Sequence, residues 1–471
     1  MTKILCILAI LFLSLPSSNA SLRSLIQKTY DNNLALMDAR DEVTISQADT
    51  RILNASLDLN LQFESSYTDS NFERDPFSLV SANQAWVNEL TLAKPFSWGG
   101  ELSLVSTHQH LKPKSSISQS YLFQQRLTYT QDFGRNIFGR TFNLEEKTLR
   151  ANEQVLSLTL NSSEISQLIT LSKLYVEGSS LQLLLELERA ALLRVDKRLK
   201  YVRKQVRDGL REKVDELRAR ESLLARETAI RDIENRMWSL KEELGVVIAD
   251  QALDVKFNPK GLKQDWTKSW KGWHLKENVD RQLLIKRLDA LSLQAKARSQ
   301  KDVPDIKLFA SYGNNDWELN RADAISGGIL GTKNDEIALG VQINFALGNE
   351  EQKAELAKVN ARKKTLERYS SQWNKILLGT AATLGERHKN LALNLKTAQE
   401  RESLARQALD AYSKLYAKGR VDLDQVITAE EQLISDQKLV VSSRQSLVNL
   451  TIEAQALAGR LPNFLLKEVD L

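Results

Sequence analysis

Few side chains in this sequence are spaced to do chemistry. His108 and His110 stand at i and i+2, so on a strand they would share a face and could hold a metal ion, but the chain has four histidines in all and no third ligand is evident. A polar loop accounts for the pair better. Gly327-Gly328-Ile329-Leu330-Gly331-Thr332-Lys333 has the composition of a phosphate loop without its spacing, and it lies between strand-like segments, so it reads as a flexible external loop. Trp266, Trp270 and Trp273 have helical spacing and could contact a partner, although packing against neighbouring helices explains them better. No nucleophile–base pair, carboxylate dyad or cofactor loop occurs in a suitable setting. The expectation is that the chain is not an enzyme and carries no metal or cofactor.

The elements around these residues occur twice. Leu199, Val202, Val206, Gly209, Val214 and Leu217 reappear as Leu409, Tyr412, Tyr416, Gly419, Asp424 and Ile427, in a register of 210 residues. A repeat this long is a duplicated half-molecule, because solenoid units recur at much shorter periods. The seven prolines leave 114–258 and 305–461 free of proline, where long helices can run. Leu192, Val195, Leu199, Val202 and Val206 alternate spacings of 3 and 4, as do Leu404, Ala408, Ala411 and Leu415, which is a coiled-coil seam. Each half is therefore expected to hold a helical hairpin turning near a glycine. Outgoing helices from about Thr141 to Asp208 and from about Glu350 to Lys418 would reach on the order of 100 Å. The return arms, 210 to about 249 and 420 to about 459, are shorter, and the segments 21–54 and 276–300 have the polarity pattern to continue them.

Lys3, the apolar run Ile4–Leu15 and the small residues up to Ala20 form a secretory signal, 1–20, whose apolar run is too short to span a bilayer as a helix. The only cysteine, Cys6, lies inside it, so the mature chain would have no disulfide. With Lys3 removed, the formal +5 becomes about +4, with acids and bases intermixed, which gives no support for nucleic-acid binding.

Short alternating segments lie between the helices. Leu57, Leu59, Leu61 and Phe63 alternate with polar residues, as do Ile337, Leu339, Val341, Ile343 and Phe345 with Ala338, Gly340, Gln342 and Asn344. Period two with one apolar face marks strands, which in a membrane barrel would turn that face to lipid. One chain offers too few strands to close a channel; several chains could pool them.

With these residues in view, the sequence resembles the TolC-like outer membrane efflux proteins over nearly the whole mature chain. The segments that carry the resemblance are Ala346-Leu347-Gly348-Asn349-Glu350, similar to the family's strand-to-helix junction with alanine in place of its usual proline, Gln131-Asp132-Phe133-Gly134-Arg135 in the first half, and the tips Arg207-Asp208-Gly209-Leu210 and Ala417-Lys418-Gly419-Arg420. The implied fold class is mainly α with membrane β: two tandem repeats of long coiled-coil hairpins, plus strands contributed to a trimeric β-barrel. The implied division is a first repeat 21–249 (strands about 57–131, tip near 209), an equatorial linker 250–275, and a second repeat 276–471 (strands about 304–345, tip near 419). The implied protein is an outer membrane channel-tunnel for efflux or type I secretion. It would be a homotrimer in outer membrane lipids with a periplasmic helical tunnel, its tips Gly209, Leu210, Gly419 and Arg420 docking a periplasmic adaptor (a membrane fusion protein) linked to an inner-membrane pump. A periplasmic coiled-coil adaptor or structural stalk is the alternative.

Two features depart from the family. The first half has extra alternating segments, Trp86–Lys94 and Glu101–His108, giving up to four strands where the common pattern has two; matching of shear and tilt in a shared barrel favours an outward-projecting hairpin over a wider barrel. At the second tip, the positions where some members carry aspartate rings are Gln425 and Thr428. Asp422 and Asp424 stand nearby instead, and with Tyr416 they are the expected pore constriction, Asp422 being equally readable as a helix cap. Trp86, Trp98 and Trp317 are candidates for an interfacial aromatic girdle.

Overall fold

The computed structural model describes residues 22–70, 84–112, 119–250, 255–263, 275–330, 334–345 and 348–467. The leader 1–20, Trp266, Trp270, Trp273, Gly331–Lys333 and Ala346-Leu347 lie outside them. Two compact units are present: one is Met1–Arg40, Leu158–Gln282 and Trp373–Leu471, the other Asp41–Ser157 and Leu283–Gln372.

The elements run α1 (Leu22–Asn32), α2 (Leu34–Ala55), β1 (Asn60–Asp69), β2 (Gln84–Pro95), β3 (Gly100–Lys112), β4 (Ser120–Asp132), α3 (Arg140–Arg207) and α4 (Lys213–Ile248) in the first half. The second half holds α5 (Val279–Gln300), β5 (Asp305–Glu318), α6 (Arg321–Leu330), β6 (Asp335–Asn344), α7 (Glu350–Ala417), α8 (Leu423–Leu457) and α9 (Leu461–Lys467). Both outgoing helices contain 68 residues, as the proline-free stretches and unbroken seams require.

The second unit is built on one six-stranded antiparallel sheet in sequence order, β1 to β6. Directly opposed residues share a face, so Leu61, Leu92, Leu104, Leu127, Tyr312 and Ile337 form one cross-strand row. Phe63, Leu90, Leu102, Tyr129, Leu308, Leu339, Val341 and Ile343 lie on the same face. The opposite face carries Gln62, Glu64, Glu89, Thr91, Thr107, Gln124, Arg126 and Glu336, with Arg126 paired to Glu336. The apolar residues of β1 and β6 are largely exposed, Leu61 at 64% and Ile337 at 77%.

The segments Trp86–Lys94 and Glu101–His108 are inner strands of this sheet, which corrects the expectation of a projecting hairpin. β2 pairs with β1 from Asn60↔Ala93 to Asp69↔Gln84 and with β3 along its whole length. Lifting the hairpin out would strip the ladders from β1 and β4 and leave their backbone groups without partners. Its turn is tight: Phe96 N–H donates to Gly100 O at 2.8 Å, Gly99 takes a positive φ of 83°, and Phe96 stacks on Trp98 at 4.4 Å. Beside the sheet, Gln47 of α2 bonds Glu153 of α3, Lys147 and Arg150 of α3 share a groove with Lys286 and Asp289 of α5, and Arg298 of α5 pairs with Glu355 of α7. The helix order α2–α3–α5–α7 thus follows the strand order.

Two further expectations change here. Gly327 and Gly328 belong to helix α6, not to a flexible loop. A Cβ on Gly328 would lie 2.5 Å from the Phe123 ring, so the missing side chains let α6 lie flat on β4 and β5. Trp317 opposes Leu122 and so lies on the polar face, while Trp86 packs on Tyr67 at 5.0 Å on the apolar face. The parity of β5, with Leu308 and Tyr312 at even positions, already carried that difference. His108 and His110 stand on β3 and not in the expected polar loop; they share a face, and His110 stacks on Tyr121 at 4.5 Å.

The first unit is a helical core in which Leu25 and Ile26 of α1, Leu168, Leu171 and Tyr175 of α3, Leu240 and Leu244 of α4, and Leu447 and Ile452 of α8 pack together. Each such side chain contributes about 1.5–3 kcal/mol by leaving water. The described part of the 250–275 segment joins this core: Phe257 packs edge-on to Tyr175 at 5.8 Å, over Gly178, where a Cβ would stand 2.2 Å from its ring.

The duplication is visible as two equivalent clamps. Asn33 caps α2 through its Oδ1, which accepts from Leu36 N, and its Nδ2 donates to Val247 O at the end of α4. Asn278 accepts from Arg281 N in α5 and donates to Leu457 O at the end of α8, also at 2.8 Å. One amide thus starts the next helix and holds the end of the return arm, which is why asparagine stands in both places.

Candidate docking tips and gate

Both hairpin turns are made by a glycine cap. Gly209 and Gly419 take φ of 71° and 69°. Leu210 N–H donates to Gln205 O and Arg420 N–H to Leu415 O, satisfying carbonyls that the helix end would leave open. A Cβ at either glycine would meet nothing within 4 Å. The constraint is therefore backbone conformation alone, which disfavours other residues by about 1–2 kcal/mol.

The two tips differ in chemistry. In the first, Leu210, Val214, Leu217 and Leu224 are exposed. Their counterparts 210 residues later are Arg420, Asp424, Ile427 and Ile434, and Ile434 is buried. The first tip thus adds exposed apolar side chains to its charged residues, where the second has Arg420 and Asp424 at two of the equivalent positions.

Tyr416 lies in the tip core with Leu199, Val202, Ala219 and Leu423, at 5% exposure. Its ring meets Tyr201 edge-on at 6.3 Å, and the Arg211 guanidinium lies 4.9 Å from its centroid. Burial pushes its phenol above the usual range, with Arg211 opposing. The ring of Tyr416, an expected constriction residue, fills the space between the tip helices of this chain.

Asp422 holds the N-cap position of α8 in extended backbone, but its carboxylate accepts no hydrogen bond from the helix. Asp424, half exposed, pairs with Arg218 of α4. Gln425 and Thr428 line a groove with Asp424, Tyr412 and Ala408 between α7 and α8.

Sequence inspection missed the arginines and acids that lash these helices together. Glu430 of α8, 2% exposed, accepts from Arg194 at 2.8 Å and from Arg198, both on α3. Glu188 of α3, fully buried, pairs with Arg226 of α4 at 3.4 Å and Lys438 of α8 at 2.7 Å. Asp436 of α8 pairs with Arg401 of α7 at 2.7 Å. The buried Glu188 carboxylate meets both its cations only when α3, α4 and α8 are all in place. The heptad flanks marked these residues as charged, but their partners lie more than 30 positions away in sequence.

This arrangement, an open sheet with one apolar face joined to paired coiled-coil hairpins, has the fold of solved outer membrane channels. Among solved structures it is similar to VceC, an outer membrane protein of the bacterial pathogen Vibrio cholerae, with a TM-score of 0.67 and 16% identity over 93% of this chain and 96% of that one. It is similar also to CusC, described for its folding and transmembrane channel formation (0.67, 13%, 94% and 92%), and to the open state of the MtrE outer membrane channel of Neisseria gonorrhoeae (0.64, 14%, 94% and 89%). No protein-family model and no curated protein matches the sequence. The likeness is one of fold.

Proposed function

We propose that this chain is the outer membrane channel-tunnel of a tripartite efflux or type I secretion system, passively conducting substrate from an inner-membrane pump to the exterior. The observation that carries the reading is the continuous apolar face from Leu61 to Ile337 on an open sheet whose other face is polar and charged. In water such a face would be an aggregation surface, whereas in a bilayer it is the outside of a barrel. Among the described residues no helix is long and apolar enough to cross a membrane. The solved channels of the same fold support the reading, as does the leader-like segment 1–20.

On this reading the chain works as a homotrimer. The tips at Gly209, Leu210, Gly419 and Arg420 dock a periplasmic adaptor, and Asp422 and Asp424, with Tyr416 beside them, form the narrowest passage near the second tip. Recovery from the outer membrane as a heat-modifiable oligomer that conducts ions in planar bilayers is the expected result. Release as a monomer by osmotic shock would reject the channel in favour of a periplasmic adaptor or stalk.

A further inference from the structure

We propose that the two edges of the second unit, β1 with α2 and β6 with α7, are a self-complementary interface between copies of this chain, so that three copies close a wall of eighteen strands. The inference rests on the proposed channel function and adds to it the width of the barrel and the residues that join it.

β1 and β6 are the free edges of the sheet, each preceded or followed directly by a helix at the edge of the helix layer. A long edge strand with apolar side chains is a ready template for pairing with a strand of another chain. β1 starts at the α2 end of the sheet and β6 ends at the α7 end, so β6 of one copy pairs edge to edge with β1 of the next, antiparallel, and the apolar face runs on from copy to copy. The same step brings α7 of the first copy beside α2 of the second, also antiparallel.

Those two helix faces match. On α2, Ile45, Ala48 and Ile52 form an exposed heptad seam, with Ile52 67% exposed among the described residues. On α7, Ala354, Ala357 and Ala361 form an exposed seam of small residues with the same 3 and 4 spacings. Large side chains facing small ones is a knobs-into-holes fit. The charges match as well: residues 41–55 hold three acids against Arg51, and 350–372 hold six basic residues against four acidic. Glu42 and Asp49 flank the first seam, and Lys358 and Arg362 border the second. Seven residues separate Ile45 from Ile52 and Ala354 from Ala361, so Ile52 falls opposite Ala354 and Ile45 opposite Ala361.

Because β2 and β3 are inner strands, each copy adds six strands rather than four. Barrel diameter grows roughly linearly with strand number, so the wall is about one and a half times as wide as a twelve-stranded one. The barrel then offers little resistance, and passage is decided at the tips.

Three measurements test this. In a Cys6→Ala background, the pair Ile52→Cys with Ala354→Cys, treated with a short bismaleimide in isolated outer membranes, should give a ladder of dimers and trimers that neither single variant gives. Electron cryomicroscopy of the purified oligomer should count eighteen strands. Charge reversal at Asp49→Lys should lower the trimer fraction several-fold and Lys358→Asp should restore it. An outer membrane oligomer without the crosslink, or one with β2 and β3 outside the wall, overturns this inference and leaves the channel reading standing. A periplasmic monomer overturns both.

Discussion

At the scale of single residues, the buried groups make separable predictions. The Tyr416 hydroxyl has no hydrogen-bond partner while the ring is enclosed. Tyr416→Phe should therefore be nearly neutral in thermal unfolding, and Tyr416→Ala should destabilise by about 3 kcal/mol through the cavity it leaves. Equal losses would mean the hydroxyl, not the ring, is what the tip needs. Glu164 carries a pKa raised chiefly by burial, with Arg40 opposing. The folded state then holds its proton more tightly than the unfolded chain, so stability falls as pH rises from the ordinary carboxylate range to the raised value. Glu164→Gln should flatten the stability profile in that window, which denaturant titrations at several pH values would read; an unchanged slope would remove Glu164 as its source. Arg218 and Asp424 test the gate. Arg218→Gln leaves the carboxylate uncompensated and should increase cation preference in planar bilayers, while Asp424→Asn, alone or with Asp422→Asn, should reduce it. Identical selectivity in all three variants would leave the pair as a surface contact.

At the scale of elements, the hairpin turns and the strands bear on different partners. Valine at Gly209 or Gly419 should weaken adaptor coupling and leave membrane insertion intact, since only φ is restricted there. Transport that persists with valine at both would place docking elsewhere. Leu61→Arg puts a charge in the apolar row, at a cost of about 2–4 kcal/mol near the bilayer midplane, and should lower the assembled fraction on semi-native gels. Most element boundaries were legible in the sequence because their signals are long: 68 residues without proline leave little else to form, and alternation from Ile337 to Phe345 fixes a face. The place of β2 and β3 was not legible, because alternation shows that a strand has two faces but not which strands flank it. The Asn33 and Asn278 clamps were hidden for a related reason. Their carbonyl partners lie 214 and 179 residues away, and an isolated asparagine carries no mark of them.

At the scale of the whole molecule, the duplication was the strongest signal, and it was also incomplete as a guide. It implies two equal halves, yet the first gives four strands to the sheet and the second two, and Val214 and Asp424 give equivalent positions opposite character. The constellation at the second tip was only partly readable: Asp422 and Asp424 stand out in sequence, but Arg211, Arg218 and Tyr201 gain their roles only once α3, α4, α7 and α8 are side by side. Deleting 84–112 should leave β1 and β4 able to pair antiparallel. The shortened chain should still reach the outer membrane with fewer strands in its wall, and its absence there would show that β2 and β3 are needed for folding itself.

That deletion exposes a bookkeeping rule of the sheet with an evolutionary reading. Strands that are added or lost two at a time return the chain to the end it left, so the helices before and after never learn that the hairpin was there. On the channel reading, the calibre of the wall can drift by whole hairpins while the tips stay under their own selection, and the two halves of the duplication are free to part company in the sheet first.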